Sequence, residues 1–302
     1  MNRESIDWHG PMVAVITPFD RDGNIDEANF SSNVRRMFDN RATGIVVGGC
    51  TGEFWALSHD ERCRLFNLGV KSAEGRGTVI VGTGAVTVEE TMQLTLEAEH
   101  AGCNGALILP PYFVKLTEDE IFHHYETVST ASSIPIILYN IPGNAVNAIT
   151  PTLAGRLADL DHVVAIKESS GDWNNFYATL LEVKDRIRVF CGPSSLYGAP
   201  AVSIGADGTI DCFPNVWAPG CMDLYYSAKD GCTAQSQDLQ ATARRLTELF
   251  TSGDRTLYPA TKAAMDLLGY FGGKPRSPLQ AVKGRPLEEL KNGLVTLGLL
   301  DE

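Results

Sequence analysis

Eight short apolar runs, rich in Val and Ile, alternate along the chain with longer amphipathic segments. They cover residues 12–17, 44–48, 79–84, 106–109, 134–139, 163–167, 187–191 and 208–212. Uninterrupted apolar runs are typical of parallel strands that are buried on both faces of a sheet. A strand followed by a helix, repeated eight times, predicts an α/β fold of the (β/α)8-barrel, or TIM-barrel, type.

Helix-start signals follow several of these runs. Three S/T-x-x-E tetrapeptides fit the capping box, in which two side chains cap each other's backbone N–H groups. They begin at Ser58, Thr87 and Thr117. Pro151 follows Thr150 at a first helical position, where its missing N–H costs nothing. An open doubly wound sheet is the alternative, but no G-x-G-x-x-G motif follows the first run.

After the eighth run the pattern changes to helices alone. Residues 234–251, 257–268 and 287–299 have helical patterns, and no further strand is indicated. We therefore predict a barrel over residues 1–230 and a C-terminal helical region over residues 231–302 that packs on it.

Charge and hydropathy argue against two classes of partner. The 302 residues carry a formal net charge of −12, without a block of like charges. Nucleic-acid binding needs clustered Lys and Arg, so no such partner is expected. The first ten residues lack the apolar run of a signal peptide, and no segment approaches the roughly 20 apolar residues of a membrane span. No membrane partner is expected either.

The spacing of the cysteines and histidines bears on disulfide formation and on metal binding. Seven scattered cysteines without a C-x-x-C pair indicate reduced thiols and a cytoplasmic location. Six histidines show neither H-x-x-x-H nor H-x-H spacing. Neither a metal nor another cofactor is expected.

Lys167 is the strongest catalytic candidate. Barrel enzymes place reacting groups at the C-terminal ends of strands, and Lys167 closes the run at residues 163–167. Burial there lowers a lysine pKa from about 10.4 toward neutrality, and a neutral amine attacks carbonyl groups. The alternative is a structural lysine paired with Glu168 or another acid.

Tyr139 ends the preceding run. Adjacent strands lie about 4.8 Å apart, so Tyr139 can approach Lys167 and shuttle a proton while a carbinolamine forms and breaks down. The alternative is a core aromatic residue with a satisfied hydroxyl.

The segment G-G-C-T-G-E at residues 48–53 follows the second run. Glycines there let successive backbone N–H groups converge on an anion, and Thr51 adds a hydroxyl donor. A substrate carboxylate fits such a loop, although a glycine-rich loop is often no more than a turn.

Together these motifs resemble the dihydrodipicolinate synthase and N-acetylneuraminate lyase family of class I aldolases. The resemblance spans nearly the whole chain, and its order and spacing make it specific. It rests on Thr17-Pro18-Phe19 with Gly23 and Asp26, on the 48–53 loop, on Tyr139-Asn140-Ile141-Pro142, on Ile166-Lys167-Glu168 with Gly171, and on Asn215 and Pro219.

The resemblance implies a role for each matching residue. Lys167 forms an imine with the keto carbon of a small 2-oxo acid, and Tyr139 relays protons. The substrate carboxylate is held by a set in the 48–53 loop, namely Gly49, Cys50 and Thr51. Gly192 and Ile210 line the site near the imine. The assembly implied is a homotetramer, built as a dimer of dimers.

Three departures from the family pattern bear on the substrate and on the proton relay. Dihydrodipicolinate synthases usually have an arginine where this chain has Asn144, and a neutral amide cannot replace a bidentate guanidinium. Cys50 is a weaker donor than the usual hydroxyl. Phe113 stands where many members lend a tyrosine across a dimer interface, so that relay is interrupted unless Tyr112 or water substitutes.

Asp211 is unusual at a position where the family has a small residue. Its carboxylate is expected either to accept hydrogen bonds from the hydroxyls of a sugar acid or to pair with an arginine or lysine. Asn144, Phe113 and Asp211 are therefore included among the expected substrate-binding residues.

These observations favour an aldolase or dehydratase of a 2-keto-3-deoxy sugar acid or a related hydroxylated 2-oxo acid. The alternative enzyme is dihydrodipicolinate synthase, which joins pyruvate to aspartate semialdehyde. A third hypothesis is a non-catalytic barrel that binds a 2-oxo acid, since Cys50 and Phe113 both stand at positions of the family's proton relay.

Overall fold

Eight parallel strands close into a barrel in which each strand pairs with the next along the chain and the eighth pairs with the first. The computed structural model describes residues 1–301. The predicted (β/α)8 fold is confirmed. The strands are β1 Gly10–Ala14, β2 Gly44–Val47, β3 Thr78–Gly82, β4 Gly105–Ile108, β5 Ile136–Asn140, β6 Val163–Glu168, β7 Arg188–Cys191 and β8 Gly208–Asp211.

Helices surround the barrel and form the C-terminal region. They are α1 Glu27–Asp39, α2 His59–Ala73, α3 Val88–His100, α4 Glu118–Ala131, α5 Pro142–Ala145, α6 Pro151–Leu157, α7 Trp173–Val183, α8 Ser194–Ser203, α9 Pro214–Lys229, α10 Thr233–Thr251, α11 Leu257–Leu267 and α12 Arg285–Thr296. The predicted division after residue 230 falls between α9 and α10 and stays a prediction. Residue 302, the last of the predicted C-terminal region, lies outside the described residues.

The helix caps agree with the sequence in two of three cases. Complete capping boxes start α2 and α4. At α3 the Thr87 side chain accepts from the Glu90 N–H, but the reciprocal bond is missing. The Glu90 carboxylate instead bonds the His59 ring at 2.9 Å. A partner on the neighbouring helix therefore competes successfully with the local cap.

Predicted strand ends differ most at β1. The apolar run continues to residue 17, but the strand ends at Ala14. Val15, Ile16 and Thr17 are nevertheless buried beyond the strand. The start of the loop after β1 is packed rather than solvated, so apolar character there extends past the hydrogen-bonded ladder.

Three apolar clusters show how the helices pack on the barrel. One lies between strands and surrounding helices, and a second fills the barrel interior. The third joins the loop after β1 to α9–α12, with Ile16 packed in the same cluster as Phe250 and Met265. The C-terminal helices are therefore held against the end of the barrel where the strands finish.

Candidate active site

A cavity of about 200 Å3 opens at the C-terminal end of the barrel. Strand ends supply its floor, and α10 and α11 supply part of its wall. It is lined by Ala14, Cys50, Thr51, Tyr139, Ile141, Lys167, Ser169, Gly192, Pro193, Ser195, Leu196, Ile210, Asp211, Cys212, Phe213, Thr247, Thr251, Leu257 and Tyr258. Seven of the ten residues singled out from the sequence meet in this cavity.

Lys167 lies on β6, where it is paired in register with Tyr139 on one side and Phe190 on the other. Its side chain borders the cavity, yet the residue is only 6% exposed. Burial lowers its pKa, while the nearby Cys50, Asp211 and Cys212 act in the opposite direction. Among residues 1–301, Lys167 forms no salt bridge, so the environment favours the neutral amine.

Glu168 does not pair with Lys167, which was the structural alternative. Its carboxylate accepts from the Asn140 amide at 2.9 Å, the Ser170 N–H at 2.9 Å and the Asn175 amide at 3.1 Å. Successive residues of a strand point to opposite faces, so Glu168 faces the helices while Lys167 faces the barrel interior. The carboxylate thus ties β5, β6 and α7 together around the lysine.

Tyr139 lies directly beside Lys167. The Lys167 Nζ is 4.3 Å from the centroid of the Tyr139 ring. The Tyr139 hydroxyl donates to the Cys50 Sγ at 3.8 Å. Burial raises the pKa of Tyr139 well above its usual value, with Cys50 and Tyr258 adding to the effect. The phenol is therefore protonated and can donate.

The 48–53 loop presents Cys50 and Thr51 to the cavity, whereas Gly49 is buried beside it and does not line it. Gly48 has φ +60°, a left-handed conformation that glycine adopts without strain. The Thr17 hydroxyl donates to the Gly52 carbonyl at 2.8 Å, which fixes the turn.

Glu53 at the end of this loop anchors it to the C-terminal region. Its buried carboxylate pairs with the buried Lys262 ammonium of α11 and also accepts from the Arg276 N–H at 2.9 Å. The Arg276 guanidinium in turn bonds Glu61 at 2.5 Å and the Gly23 carbonyl at 2.7 Å. Residues distant in sequence thus hold the proposed carboxylate-binding loop.

Asp211 lines the cavity at the end of β8. Its carboxylate accepts from the Ser194 hydroxyl at 2.7 Å, the Ser195 N–H at 3.2 Å and the Cys212 N–H at 2.6 Å. In the part of the chain that the structure describes, it forms no salt bridge. The expected alternative of pairing with an arginine or lysine is wrong, because the first residues of α8 supply the hydrogen bonds instead.

Gly192 and Ile210 both line the cavity, as the resemblance implied. A Cβ atom at Gly192 would collide with the Ser169 side chain and approach the Glu168 carbonyl to 2.9 Å. Position 192 therefore requires glycine for close packing of β6 against the loop after β7.

Two of the expected residues lie outside the cavity. Phe113 is 87% exposed with φ +77°, and it does not contribute to the lining. Asn144 is exposed as well, and it lies beside Tyr258 without contributing to the lining. Within this chain, neither residue is placed to contact a molecule in the cavity.

The sequence did not identify the contribution of the C-terminal helices. Thr247, Thr251, Leu257 and Tyr258 line the cavity although they follow the barrel in the chain. Ser169, in the loop after β6, and Ser195, in the first turn of α8, were missed too. The strand-end rule finds residues on strands, but the docking of α10 and α11 has no local sequence signature.

Across residues 1–301 no three His, Cys, Asp or Glu side chains are grouped so as to hold a metal ion. No helix in the same range is long and apolar enough to cross a membrane.

A buried lysine without an acidic partner, next to a protonated tyrosine at the open end of a (β/α)8 barrel, defines a class I aldolase-type lyase. The chain belongs to the dihydrodipicolinate synthetase family, whose model matches residues 7–296. The resemblance inferred from the motifs is thus confirmed.

Individual relatives agree with this assignment. The 4-hydroxy-tetrahydrodipicolinate synthase of Desulforamulus reducens is 31% identical over 298 residues, which cover 98% of this chain and 99% of that protein. The solved dihydrodipicolinate synthase of Aquifex aeolicus superposes with a TM-score of 0.91 at 29% identity, covering 98% of this chain and 100% of the other.

Two further solved structures bear on ligand and assembly. The dihydrodipicolinate synthase of Acinetobacter baumannii, complexed with pyruvate, has a TM-score of 0.89 at 28% identity, covering 97% of this chain and 99% of the other. A monomeric dihydrodipicolinate synthase variant has a TM-score of 0.90 at 30% identity, covering 97% and 98% respectively.

Proposed function

We propose that this lyase forms a Schiff base between Lys167 and the keto carbon of pyruvate or another 2-oxo acid. The observation that carries the proposal is the Lys167 amine, which is buried, free of any salt bridge within residues 1–301, and open to the cavity. The Acinetobacter baumannii relative in complex with pyruvate supports the choice of a 2-oxo acid.

The residues around the amine suit each step. The neutral Lys167 attacks the keto carbon, and the resulting carbinolamine loses water with a proton from Tyr139. The imine then withdraws electrons, so that a carbanion at the next carbon is stabilised as an enamine. Thr51 and the loop N–H groups near Gly49 and Cys50 hold the carboxylate.

The comparisons favour 4-hydroxy-tetrahydrodipicolinate synthase as the reaction, and they support it better than the sugar-acid lyase expected from the sequence. The Desulforamulus reducens relative carries that name and matches essentially end to end. In this first candidate the enamine of pyruvate adds to the aldehyde of aspartate semialdehyde.

One observation favours a second candidate, an aldolase or dehydratase of a 2-keto-3-deoxy sugar acid. Among residues 1–301, Lys167 is the only basic side chain that lines the cavity, so no guanidinium from this range faces a second carboxylate. The wall instead carries the hydroxyls of Ser195, Thr247 and Thr251 together with the Asp211 carboxylate. Such a wall suits a neutral, hydroxylated substrate tail.

Parallel assays distinguish these candidates. Purified protein is supplied with pyruvate plus aspartate semialdehyde in one assay and with a panel of 2-keto-3-deoxy sugar acids in the other. Efficient turnover of the first pair with none of the second establishes the synthase, and the opposite result establishes the sugar-acid lyase. If wild type forms no covalent adduct and the Lys167→Ala variant still binds pyruvate normally, the chain is a non-catalytic binder.

We further propose a cytoplasmic homotetramer built as a dimer of dimers. All seven cysteines are free thiols, which accords with a reducing compartment. The exposed Phe113 and Val114, together with Val146, supply apolar surface for a subunit contact. Sedimentation velocity tests the assembly, and the monomeric variant in the family makes a monomer the specific contrary outcome.

A further inference from the structure

Cys50 lies between two tyrosines at the cavity. One is Tyr139, whose hydroxyl donates to the Cys50 Sγ at 3.8 Å. The other is Tyr258, which lines the same cavity as Cys50, Tyr139 and Lys167. All three of Cys50, Tyr139 and Tyr258 pack in the cluster that fills the barrel interior.

Tyr258 comes from the C-terminal region and is held firmly. It lies in the first turn of α11, and its ring centroid is 5.3 Å from that of Trp55, just after the 48–53 loop. One turn further along α11, Lys262 pairs with Glu53 of the same loop. Residues i and i+4 share one face of a helix, so one face of α11 contacts both the 48–53 loop and Trp55 just after it.

We propose that Tyr258 is a positioning residue for the lyase reaction, and that its hydroxyl extends the Tyr139–Cys50 pair into a chain of three donors that reaches the cavity wall. The chain replaces within one subunit the relay that Phe113 cannot supply. This inference rests on Schiff-base formation at Lys167.

The chain works as a proton shuttle without changing the charge of any member. Tyr139 gives its proton to the hydroxyl that leaves the carbinolamine as water. For this the Tyr139 hydroxyl turns its proton away from the Cys50 Sγ toward the departing group, and the Tyr139 oxygen then takes a proton from the Cys50 thiol, which takes one from Tyr258. Tyr258 is only partly buried, so it recovers a proton from solvent in the cavity. The net change is one proton moved from solvent to the departing hydroxyl.

Protonation of all three groups supports this order of transfer. Burial is the main cause that raises the pKa of Tyr139, of Cys50 and of Tyr258. Tyr258 lies close enough to Cys50 and to Asn144 for both to influence its pKa, which Cys50 raises and Asn144 lowers against the larger effect of burial. Of these two neighbours, only Cys50 lines the cavity with Tyr258.

The test compares Tyr258→Phe with Tyr112→Phe in the full chain. Tyr112 also packs near this end, 5.9 Å from Phe54 between ring centroids, but it does not line the cavity. Three quantities are measured with pyruvate alone: the rate of borohydride-trappable adduct formation, the final adduct yield, and the solvent deuterium isotope effect on the rate of adduct formation.

We expect Tyr258→Phe to form adduct about tenfold more slowly, with an unchanged final yield and an altered isotope effect. Tyr112→Phe should match wild type in all three. The proposal is overturned if Tyr258→Phe keeps the wild-type rate and isotope effect, or if Tyr112→Phe is the slow variant. Absence of any adduct in wild type would instead refute the Schiff base itself.

Discussion

The molecule contains two buried lysines in contrasting surroundings. The Nζ of each lysine lies 4.3 Å from the centroid of an aromatic ring. The ring is that of Tyr139 for Lys167 and that of Phe19 for Lys262. Lys262 is only 1% exposed and pairs with the fully buried Glu53, whereas Lys167 is 6% exposed and faces a cavity without an acidic partner.

Burial alone therefore does not make a lysine a nucleophile. Burial is the main cause that lowers the pKa of both residues, but at Lys262 the charge and hydrogen bond of Glu53 oppose it. The paired amine is closed to solvent in a salt bridge with Glu53, and it anchors the 48–53 loop. The unpaired amine has no such partner to stabilise its charged form, and it faces a cavity with room for a carbonyl compound.

Replacement of Lys167 should have the largest effect on activity. Lys167→Met keeps an unbranched, flexible side chain, one atom shorter, but removes the nucleophile, so turnover should fall by on the order of 10⁴-fold or more. Steady-state assays with the preferred substrates measure the loss. Stability should be unchanged or higher, because the variant removes the cost of burying an amine. A Lys167→Met protein with more than a tenth of wild-type turnover would contradict the assignment.

Replacement of Lys262 should act mainly on stability. Lys262→Met leaves the Glu53 carboxylate buried without its cation, which should lower the free energy of unfolding by about 3–5 kcal/mol. Urea denaturation measures this change. The double variant Lys262→Met with Glu53→Gln should recover part of the loss. If Lys262→Met proves more stable than Lys167→Met, the contrast between the two lysines does not hold.

The pH dependence sharpens the same contrast. Since burial lowers the Lys167 pKa, adduct formation with pyruvate should rise up to about tenfold per pH unit and level off at a pKa below about 10.4. Between the lowered pKa of Lys167 in the folded protein and the ordinary lysine pKa in the unfolded chain, the unfolded chain binds more protons. In that pH range this lysine therefore makes the free energy of unfolding increase with pH. Stopped mixing with borohydride across pH 6–10 gives the profile. A midpoint at or above that of an exposed lysine would argue against a desolvated amine.

Cys50 should show the smallest effect. Cys50→Ala interrupts the link between Tyr139 and Tyr258, and we expect a loss of several-fold to about tenfold in kcat/KM. Cys50→Ser restores a hydroxyl and should match or exceed wild type. Equal activity of the alanine and serine variants would show that position 50 carries no proton.

The sequence predicted the barrel and the proximity of Lys167 to Tyr139 because both follow from local patterns. Buried parallel strands are continuously apolar, and strand ends converge, which was enough to bring Lys167 beside Tyr139. Glu53 forms a salt bridge with Lys262, and Cys50 lies beside Tyr258. In each case the two residues are more than 200 positions apart in the sequence. Such contacts depend on how α11 docks, which no local pattern specifies.

The sequence also could not predict which groups surround an individual polar residue. Asp211 was expected to meet either a sugar hydroxyl or a basic side chain, but it accepts hydrogen bonds at the start of α8. Asn144 was expected at the substrate, and in this chain it lies beside Tyr258 and outside the cavity lining. In both cases the residue type was correct for hydrogen bonding, but only the packing decides the partner.

The central claim is that one lysine of the two is the nucleophile, and borohydride reduction in the presence of pyruvate tests it directly. Intact mass followed by peptide mapping should show one reduced adduct per chain, located on Lys167, with Lys262 unmodified. No adduct, or an adduct located on any other lysine, would contradict the account.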